Sequence, residues 1–274
     1  MSKVNYHTHT ARCMHADGAD RDYLESALKS GFETIGFSDH SPWPYASGYV
    51  STVRMLPAQL PEYLASVRGL RDEYADRIRV LVGLECEYFP RYLDWLRDTA
   101  RREQLDYLIF GNHFYGSDED GPYFGSATKD LTMLRRYTES AIAGMECGLF
   151  SYFAHPDLFM RCYPGFDENA KAASREICRA AKRLGMPLEY NLMGSLYCEK
   201  YHINGYPYPG FWRIAAEEGC TAIIGVDAHS PAHLEHPRFW TEGLQLLRGL
   251  GIQRTRTIRL RAWEKDPAAE TVSR

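Results

Sequence analysis

The sequence predicts an α/β fold in which a parallel sheet, covered by helices, rolls into a closed or nearly closed barrel. Seven short apolar runs alternate with longer amphipathic stretches along most of the 274 residues. Strict β/α alternation makes a parallel sheet with helices on its faces, and seven such units suit a barrel. A doubly wound open sheet fits less well. Val4-Asn5-Tyr6-His7 is followed by no Gly-rich phosphate loop, and no Walker A sequence is present. At 45% apolar and 25% charged, the composition supplies a sizeable core and excludes a disordered or fibrous chain.

The elements follow in order. Residues 4–9 form the first run. In residues 20–29, Tyr23, Leu24, Ala27 and Leu28 have helical spacing, and Gly31 is placed to cap the C-terminus. Residues 34–40 are the second strand. Residues 41–56 are aromatic and rich in Gly and Pro, and read as a loop. Residues 57–74 are helical, with Pro61 limiting where the helix begins. Strands are then expected at 78–85, 107–111, 150–154, 187–191 and 222–227. Helices are expected at 92–104, 131–146, 170–184, 211–218 and 237–250. Residues 193–209 read as an inserted loop. The basic stretch 254–261 reads as an edge strand with solvated arginines. No repeat or linker divides the chain, so residues 1–264 are expected to form one domain, with 265–274 a polar, disordered tail.

Charge and cysteine usage narrow the class. A net charge of −4 argues against a strongly basic nucleic-acid binder. The seven cysteines are scattered, with no C-x-x-C pair, which argues against a disulfide scaffold and against a cysteine zinc site. The N-terminus has no apolar signal region, and no run reaches the ~18 apolar residues of a membrane span. A soluble, cytoplasmic protein is expected, with no nucleic-acid or membrane partner. A homo-oligomer stays open.

The chemistry sits at the strand ends. His7 and His9 end the first strand, His40 the second, Glu85 the third and Asp227 the seventh, while His113, His155 and His229 lie just past the ends of the fourth, fifth and seventh. In a β/α barrel all C-terminal strand ends surround one mouth, so these groups converge however far apart they lie in sequence. His-x-His and Asp-x-His put both side chains on one face of a strand, because side-chain direction has a period of two. Imidazole and carboxylate without thiolate suit Zn, Mn or Fe rather than Mg or Ca. Eight or nine such groups exceed the needs of one ion, so two or three divalent cations are implied. His15 lies in the loop after the first strand as a ligand, a substrate contact or a surface residue, and Asp17 is its rival. His202 reads as a solvated loop residue, and His233 and His236 as surface residues near a helix start.

The ordered set His7-Thr-His9, His15, Ser38-Asp39-His40, Glu85, His113, His155 and Asp227-Ala-His229 resembles the polymerase-and-histidinol-phosphatase (PHP) family of metallophosphoesterases. The likeness spans residues 4 to about 260. The phrases Cys-Met-His-Ala-Asp-Gly, Asp-His-Ser-Pro, Gly-Leu-Glu and Asp-Ala-His-Ser-Pro look most like the histidinol-phosphatase branch. The resemblance implies a distorted, TIM-like (β/α)7 barrel with a trinuclear metal centre. By the same resemblance His7, His9, Glu85 and Asp227 would hold one cation. Glu85, His113 and His155 would hold a second, and His15, His40 and His229 a third. Relatives often continue the sixth strand as Asn-Thr-x-Gly-x-Arg, whereas this chain reads Asn191-Leu-Met-Gly-Ser-Leu-Tyr197 and lacks that arginine.

The expected activity is hydrolysis of L-histidinol phosphate in histidine biosynthesis, with Glu85, Asp227 and His229 carrying the catalysis. Cations bridged by a carboxylate bring the pKa of bound water toward neutrality and supply hydroxide for direct attack on phosphorus. The chain has no Cys-x5-Arg sequence that would suggest a covalent intermediate. Arg161 is the first candidate for a phosphate clamp, because Arg pairs bidentately with phosphate. Arg12 is a weaker one, and Asn191, Ser230 and Asp17 are further candidate contacts. Trp43, Tyr45, Tyr115 and Tyr197 either stack on a flat substrate ring or simply pack their loops. Another small phosphate ester is the alternative substrate. A 3′–5′ exonuclease fits less well with the negative charge, and a degenerate binding module would have lost ligands.

Overall fold

The computed structural model describes residues 3–261, so the expected tail at 265–274 lies outside the described residues. Eight strands pair in sequence order, each parallel to the next. They are β1 (Lys3–Asn5), β2 (Phe32–Phe37), β3 (Arg79–Cys86), β4 (Tyr107–Gly111), β5 (Phe153–Ala154), β6 (Leu188–Asn191), β7 (Thr221–Gly225) and β8 (Gln253–Arg254). The helices are α1 (Asp20–Lys29), α2 (Leu60–Glu73), α3 (Leu93–Arg102), α4 (Phe124–Ala127), α5 (Leu131–Glu146), α6 (Glu168–Leu184), α7 (Leu192–Tyr201), α8 (Pro209–Glu217) and α9 (Pro237–Gly249).

Local chemistry accounts for many of the boundaries. Asp130 and Asp167 cap α5 and α6 by accepting from the backbone N–H of Met133 and Ala170 at 2.9 and 2.8 Å. Gly185 ends α6 in the left-handed region at φ 62°. Pro61 sits in the first turn of α2, where its missing N–H costs no helical hydrogen bond.

Two apolar layers separate inside from outside. Val4, Tyr6, Leu81, Tyr107, Ile109, Tyr152, Ala154 and Ile223 form an inner cluster drawn from strands on both sides of the sheet. That convergence requires a sheet curled on itself. The larger cluster lies between strands and helices. Burying each large apolar side chain stabilises by about 1.5–3 kcal/mol. Tyr107 ties the inner layer together by donating to the carbonyls of Tyr6 (2.7 Å) and Phe37 (3.1 Å). The architecture is a distorted α/β barrel. Among the described residues no ladder joins β1 to β7. At the mouth the seam is crossed by one parallel bridge, Thr8 to Ala228, with hydrogen bonds of 2.9 and 3.1 Å.

Three expectations are corrected. Strand β1 and its partners stop short of the expected histidines, which lie just beyond on segments that pair only singly. The supposed loop 193–209 begins as α7, capped by the Asn191 side chain accepting from Gly194 N–H at 2.7 Å. Of the basic stretch 254–261, only Arg254 lies in an edge strand, as the last residue of β8. After β8 the stretch crosses the end of the barrel opposite the mouth. Thr255 N–H donates to Ala222, Tyr6 O–H to the Arg256 carbonyl, Ser151 O–H to the Arg259 carbonyl, and Arg261 N–H to Asp106, all at 2.7–2.8 Å. Ile258 packs against the inner cluster from below. The arginine side chains disguise a segment whose backbone closes the floor.

Candidate metal centre

Every strand from β1 to β7 delivers a polar side chain to the mouth. His7 and His9 follow β1, and His40 follows β2. Glu85 lies in β3, His113 follows β4, His155 follows β5, and Asp227 and His229 follow β7. From β6 come Glu189 and Asn191, both fully buried. His155 and Asp227 adopt φ of 34° and 56°, a left-handed geometry that non-glycine residues hold at a cost of roughly 1–3 kcal/mol.

Glu85 lies at the middle of the cluster. Its Oε1 is 2.9 Å from His155 Nε2 and 3.5 Å from His113 Nε2. Its Oε2 is 3.1 Å from His40 Nδ1 and 3.4 Å from Nε2 of both His7 and His9. Asp227 Oδ1 is 3.1 Å from His9 Nε2 and 3.4 Å from His7 Nε2. His15 Nε2 and His229 Nε2 are 3.1 Å apart, and His113 Nε2 and His155 Nε2 are 3.2 Å apart. Gly111 leaves room for this packing, since a methyl there would overlap Glu85 Oε1 and the His113 ring.

These donors fit cations. His7 Nε2, His9 Nε2, His40 Nδ1, His155 Nδ1 and Asp227 Oδ1 are buried without a hydrogen-bond partner. Such atoms cost about 1–3 kcal/mol each when left unsatisfied. The groupings His7–His9–Asp227, His7–Glu85–His155, His9–His40–Glu85 and His15–His40–His229 each converge closely enough to share an ion. Nitrogen and oxygen donors together suit a borderline transition metal.

Electrostatics follow from burial and neighbours. Burial works to neutralise His7 and His9, but Asp227 with its partner carboxylates overcomes it and raises both well above the usual histidine range. Burial resists charge on Glu85 and Asp227 too, yet the facing imidazoles hold both carboxyls well below the usual range. Burial and the proximity of His9 push His40 and His229 down, leaving them neutral.

Behind the cluster stands a layer of carboxylates that the sequence reasoning missed. Glu189 Oε1 lies 2.8 Å from His7 Nδ1, and Asp39 Oδ1 lies 3.4 Å from His9 Nδ1. Glu87 Oε1 lies 3.0 Å from His113 Nδ1. Such partners fix ring orientation and tautomer. The period of two was the available signal: Glu87 follows Glu85 by two residues, and Glu189 precedes Asn191 by two.

A cavity of about 540 Å³ opens above the cluster. Arg161 lines it and donates to the hydroxyls of Tyr123 (3.0 Å) and Tyr197 (2.8 Å), with its guanidinium 4.4 Å from the Tyr197 ring centre. Among the described residues no carboxylate pairs with it. The other candidate contacts fall elsewhere. Asn191 lies beneath the mouth, donating to Asp227 Oδ2 at 3.1 Å and to Glu189 at 2.9 Å. Ser230 precedes a short 3₁₀ turn and does not line the cavity, and neither does the exposed Asp17. His15, not Asp17, joins the imidazoles. Arg12 is held by Asp20 and Glu62 in two forked pairs. Trp43 is buried against Phe89 and Tyr92, Tyr45 bonds Asp118, and Tyr115 faces Arg136, so of the four candidate stacking rings only Tyr197 reaches the cavity. His202 is exposed, as expected, and His236 is exposed too. His233, expected at the surface, lines the cavity and accepts from His229 N–H at 3.1 Å.

Residues 5–192 match the family model of the PHP domain. A Deinococcus radiodurans protein named "Probable histidinol-phosphatase" is 32% identical over 232 residues, which cover 83% of this chain and 86% of that one. The histidinol-phosphatase of Bacillus subtilis is 26% identical over 262 residues, covering 84% of this chain and 94% of its own length. In fold, the chain is similar to a crystal structure of histidinol phosphate phosphatase from Lactococcus lactis complexed with zinc, L-histidinol and phosphate. The TM-score is 0.68 at 18% identity, covering 95% of this chain and 99% of that one.

Proposed function

The chain belongs to the PHP domain family, and from that premise we propose that it is a metal-dependent phosphomonoesterase that hydrolyses L-histidinol phosphate to histidinol and phosphate. One observation carries the reading most strongly. A ring of imidazoles and carboxylates with unpartnered atoms lies in the same cavity wall as Arg161, a cation without an acidic partner among the described residues. That pairing suits a phosphate ester and little else of small size.

His7, His9, Glu85 and Asp227 would hold one divalent cation. Glu85, His113 and His155 would hold a second, and His15, His40 and His229 a third, with Zn, Mn or Fe as the fitting ions. When bound, these cations supply hydroxide from water at neutral pH and neutralise phosphate oxygens. The chain's own residues do the rest. Arg161 grips the phosphate through its fork, and Tyr123 and Tyr197 hold that fork in place. Asn191 orients the Asp227 carboxylate from below, leaving Oδ1 turned to the cluster. His229 donates its Nδ1 proton to the Asp227 carbonyl at 3.0 Å, so its Nε2 lone pair faces the mouth. Glu85, Asp227 and His229 are thus assigned the catalytic roles. Phe114, Tyr123, Tyr197 and Tyr206 wall the cavity and keep water from the leaving group.

The activity places the protein in histidine biosynthesis. The seven free cysteines suit a reducing cytoplasm. No helix among the described residues is long and apolar enough to cross a membrane. Of the expected domain 1–264, the described residues 3–261 are assigned to one barrel domain.

Phosphate release from L-histidinol phosphate by Mn- or Zn-loaded protein tests the reading, beside a His155→Ala control. Rapid release that depends on His155 is the expected result. Cleavage of an aryl phosphate with histidinol phosphate untouched would keep the metal chemistry and overturn the substrate. The absent sixth-strand arginine would then mark another phosphate ester.

A further inference from the structure

The three carboxylates behind the imidazoles are not equivalent. Glu189 and Asp39 bond to residues of the mouth itself: His7, His155 N–H and Asn191 for the first, and His9, His40 N–H and Thr10 for the second. Glu87 reaches outward instead. Arg54 donates from Nη2 to its Oε1 at 2.9 Å and from Nη1 to its Oε2 at 3.0 Å, a forked pair. Trp43 Nε1 donates to the same Oε2 at 3.1 Å.

Arg54 comes from the loop 41–56, yet it is 1% exposed. Two of its three remaining donors are also spent. Nε bonds Asp118 Oδ2 at 2.9 Å, and Nη1 bonds the Ser41 carbonyl at 3.0 Å. Asp118 in turn accepts from Ser51 and Tyr45, at 2.9 and 2.5 Å. One buried guanidinium therefore joins the 41–56 loop and the loop after β4 to a single carboxylate. That carboxylate accepts from His113 Nδ1 at 3.0 Å, which turns His113 Nε2 toward Glu85 and His155.

We propose that Arg54 is a positioning residue: through Glu87 it fixes the tautomer and orientation of His113, and so couples the order of the 41–56 loop to the Glu85–His113–His155 cation position. The proposal rests on the metal-centre reading above. The physical basis is the planar fork. It matches both carboxylate oxygens at once, whereas a lysine ammonium restores the charge without the angle. Without the fork the Glu87 carboxylate keeps only the Trp43 donor on Oε2 and can turn about that bond, and the imidazole it orients turns with it. The cavity wall gains from the same contact, since Val53 and Arg54 both line the cavity.

The test uses the full chain, stripped of metal, as wild type, Arg54→Lys, Arg54→Ala and Asp118→Asn. Two quantities are read: the His113 tautomer from long-range proton–nitrogen NMR correlations without metal, and stepwise Mn²⁺ binding by calorimetry. Wild type and Asp118→Asn should hold His113 as the single Nδ1–H tautomer. Both Arg54 variants should show a tautomer mixture and lose about 10–100-fold in affinity at one cation step, with the others unchanged. Glu87→Gln keeps the chain testable if Arg54→Ala does not fold, and it should weaken the same step. An unchanged tautomer in the Arg54 variants, or equal weakening of every Mn²⁺ step, would overturn the proposal. A wild type that binds no Mn²⁺ would instead sink the metal-centre reading, while the tautomer measured without metal still decides the role of Arg54.

Discussion

Glu85 and His155, 70 residues apart in sequence, meet at 2.9 Å between Oε1 and Nε2, while the other oxygen of Glu85 faces His40 at 3.1 Å. One carboxylate thus serves both halves of the cluster. Glu85→Gln keeps the shape and removes the charge that can bridge two cations. We expect kcat to fall by about 1000-fold, on the scale of losing a main transition-state stabiliser. Bound metal should fall by at least one ion per chain, read by elemental analysis of the purified variant. Full metal content in Glu85→Gln would show that Glu85 is not a bridge.

Arg161 tests the substrate side separately. Losing a charged hydrogen-bond donor costs about 1.5–3 kcal/mol, so Arg161→Ala should lower kcat/KM roughly 10–100-fold with metal content unchanged. Tyr197→Phe removes one neutral hydrogen bond to the clamp and should cost only a few-fold. Arg12→Ala is the control, because Arg12 is bound to Asp20 and Glu62. Steady-state kinetics on the three variants decide the matter. An Arg12 effect as large as that of Arg161 would contradict the assignment.

Most of this architecture was legible in the sequence, and the exceptions share a cause. Helix α5 and strand β4 were legible to the residue, because periodicity, an Asp cap and a fully buried run all agree there. The histidines and acids of the mouth were legible because β/α topology brings strand ends together without further information. Glu189, Glu87 and Arg54 were not. Their roles depend on which buried partner each meets across the barrel, and sequence separation hides that. His233 reads as a surface residue because it stands near a helix start, but its ring reaches the backbone of His229. Residues 255–261 read as an edge strand because their side chains are basic, whereas the segment is held through its own backbone N–H and carbonyl groups.

Cations that bind only the folded chain stabilise it by mass action. A single ion at a thousand times its Kd contributes about 4 kcal/mol, or roughly 10 °C in Tm for a domain of this size. Calorimetric scans with and without a chelator should therefore differ by at least that much. In the metal-free protein Asp227→Gly should be more stable than Asp227→Ala by about 1 kcal/mol, because glycine accepts the φ of 56° at no steric cost. Equal Tm values for the two variants would show that the left-handed turn relaxes without metal.

The floor makes a prediction independent of the chemistry. Tyr6 and Ser151 each spend a hydroxyl on the segment that crosses the barrel bottom, at 2.8 and 2.7 Å. Tyr6→Phe and Ser151→Ala should each cost about 1 kcal/mol. Ile258→Asp puts a charge against Tyr107, Ile109 and their neighbours, and should cost several kcal/mol. Metal content per folded chain should stay at the wild-type level in all three, because the floor and the mouth lie at opposite ends of the strands. Denaturant unfolding gives the first quantity and elemental analysis the second. A stable Ile258→Asp variant would mean that the segment merely rests on the barrel and does not close it.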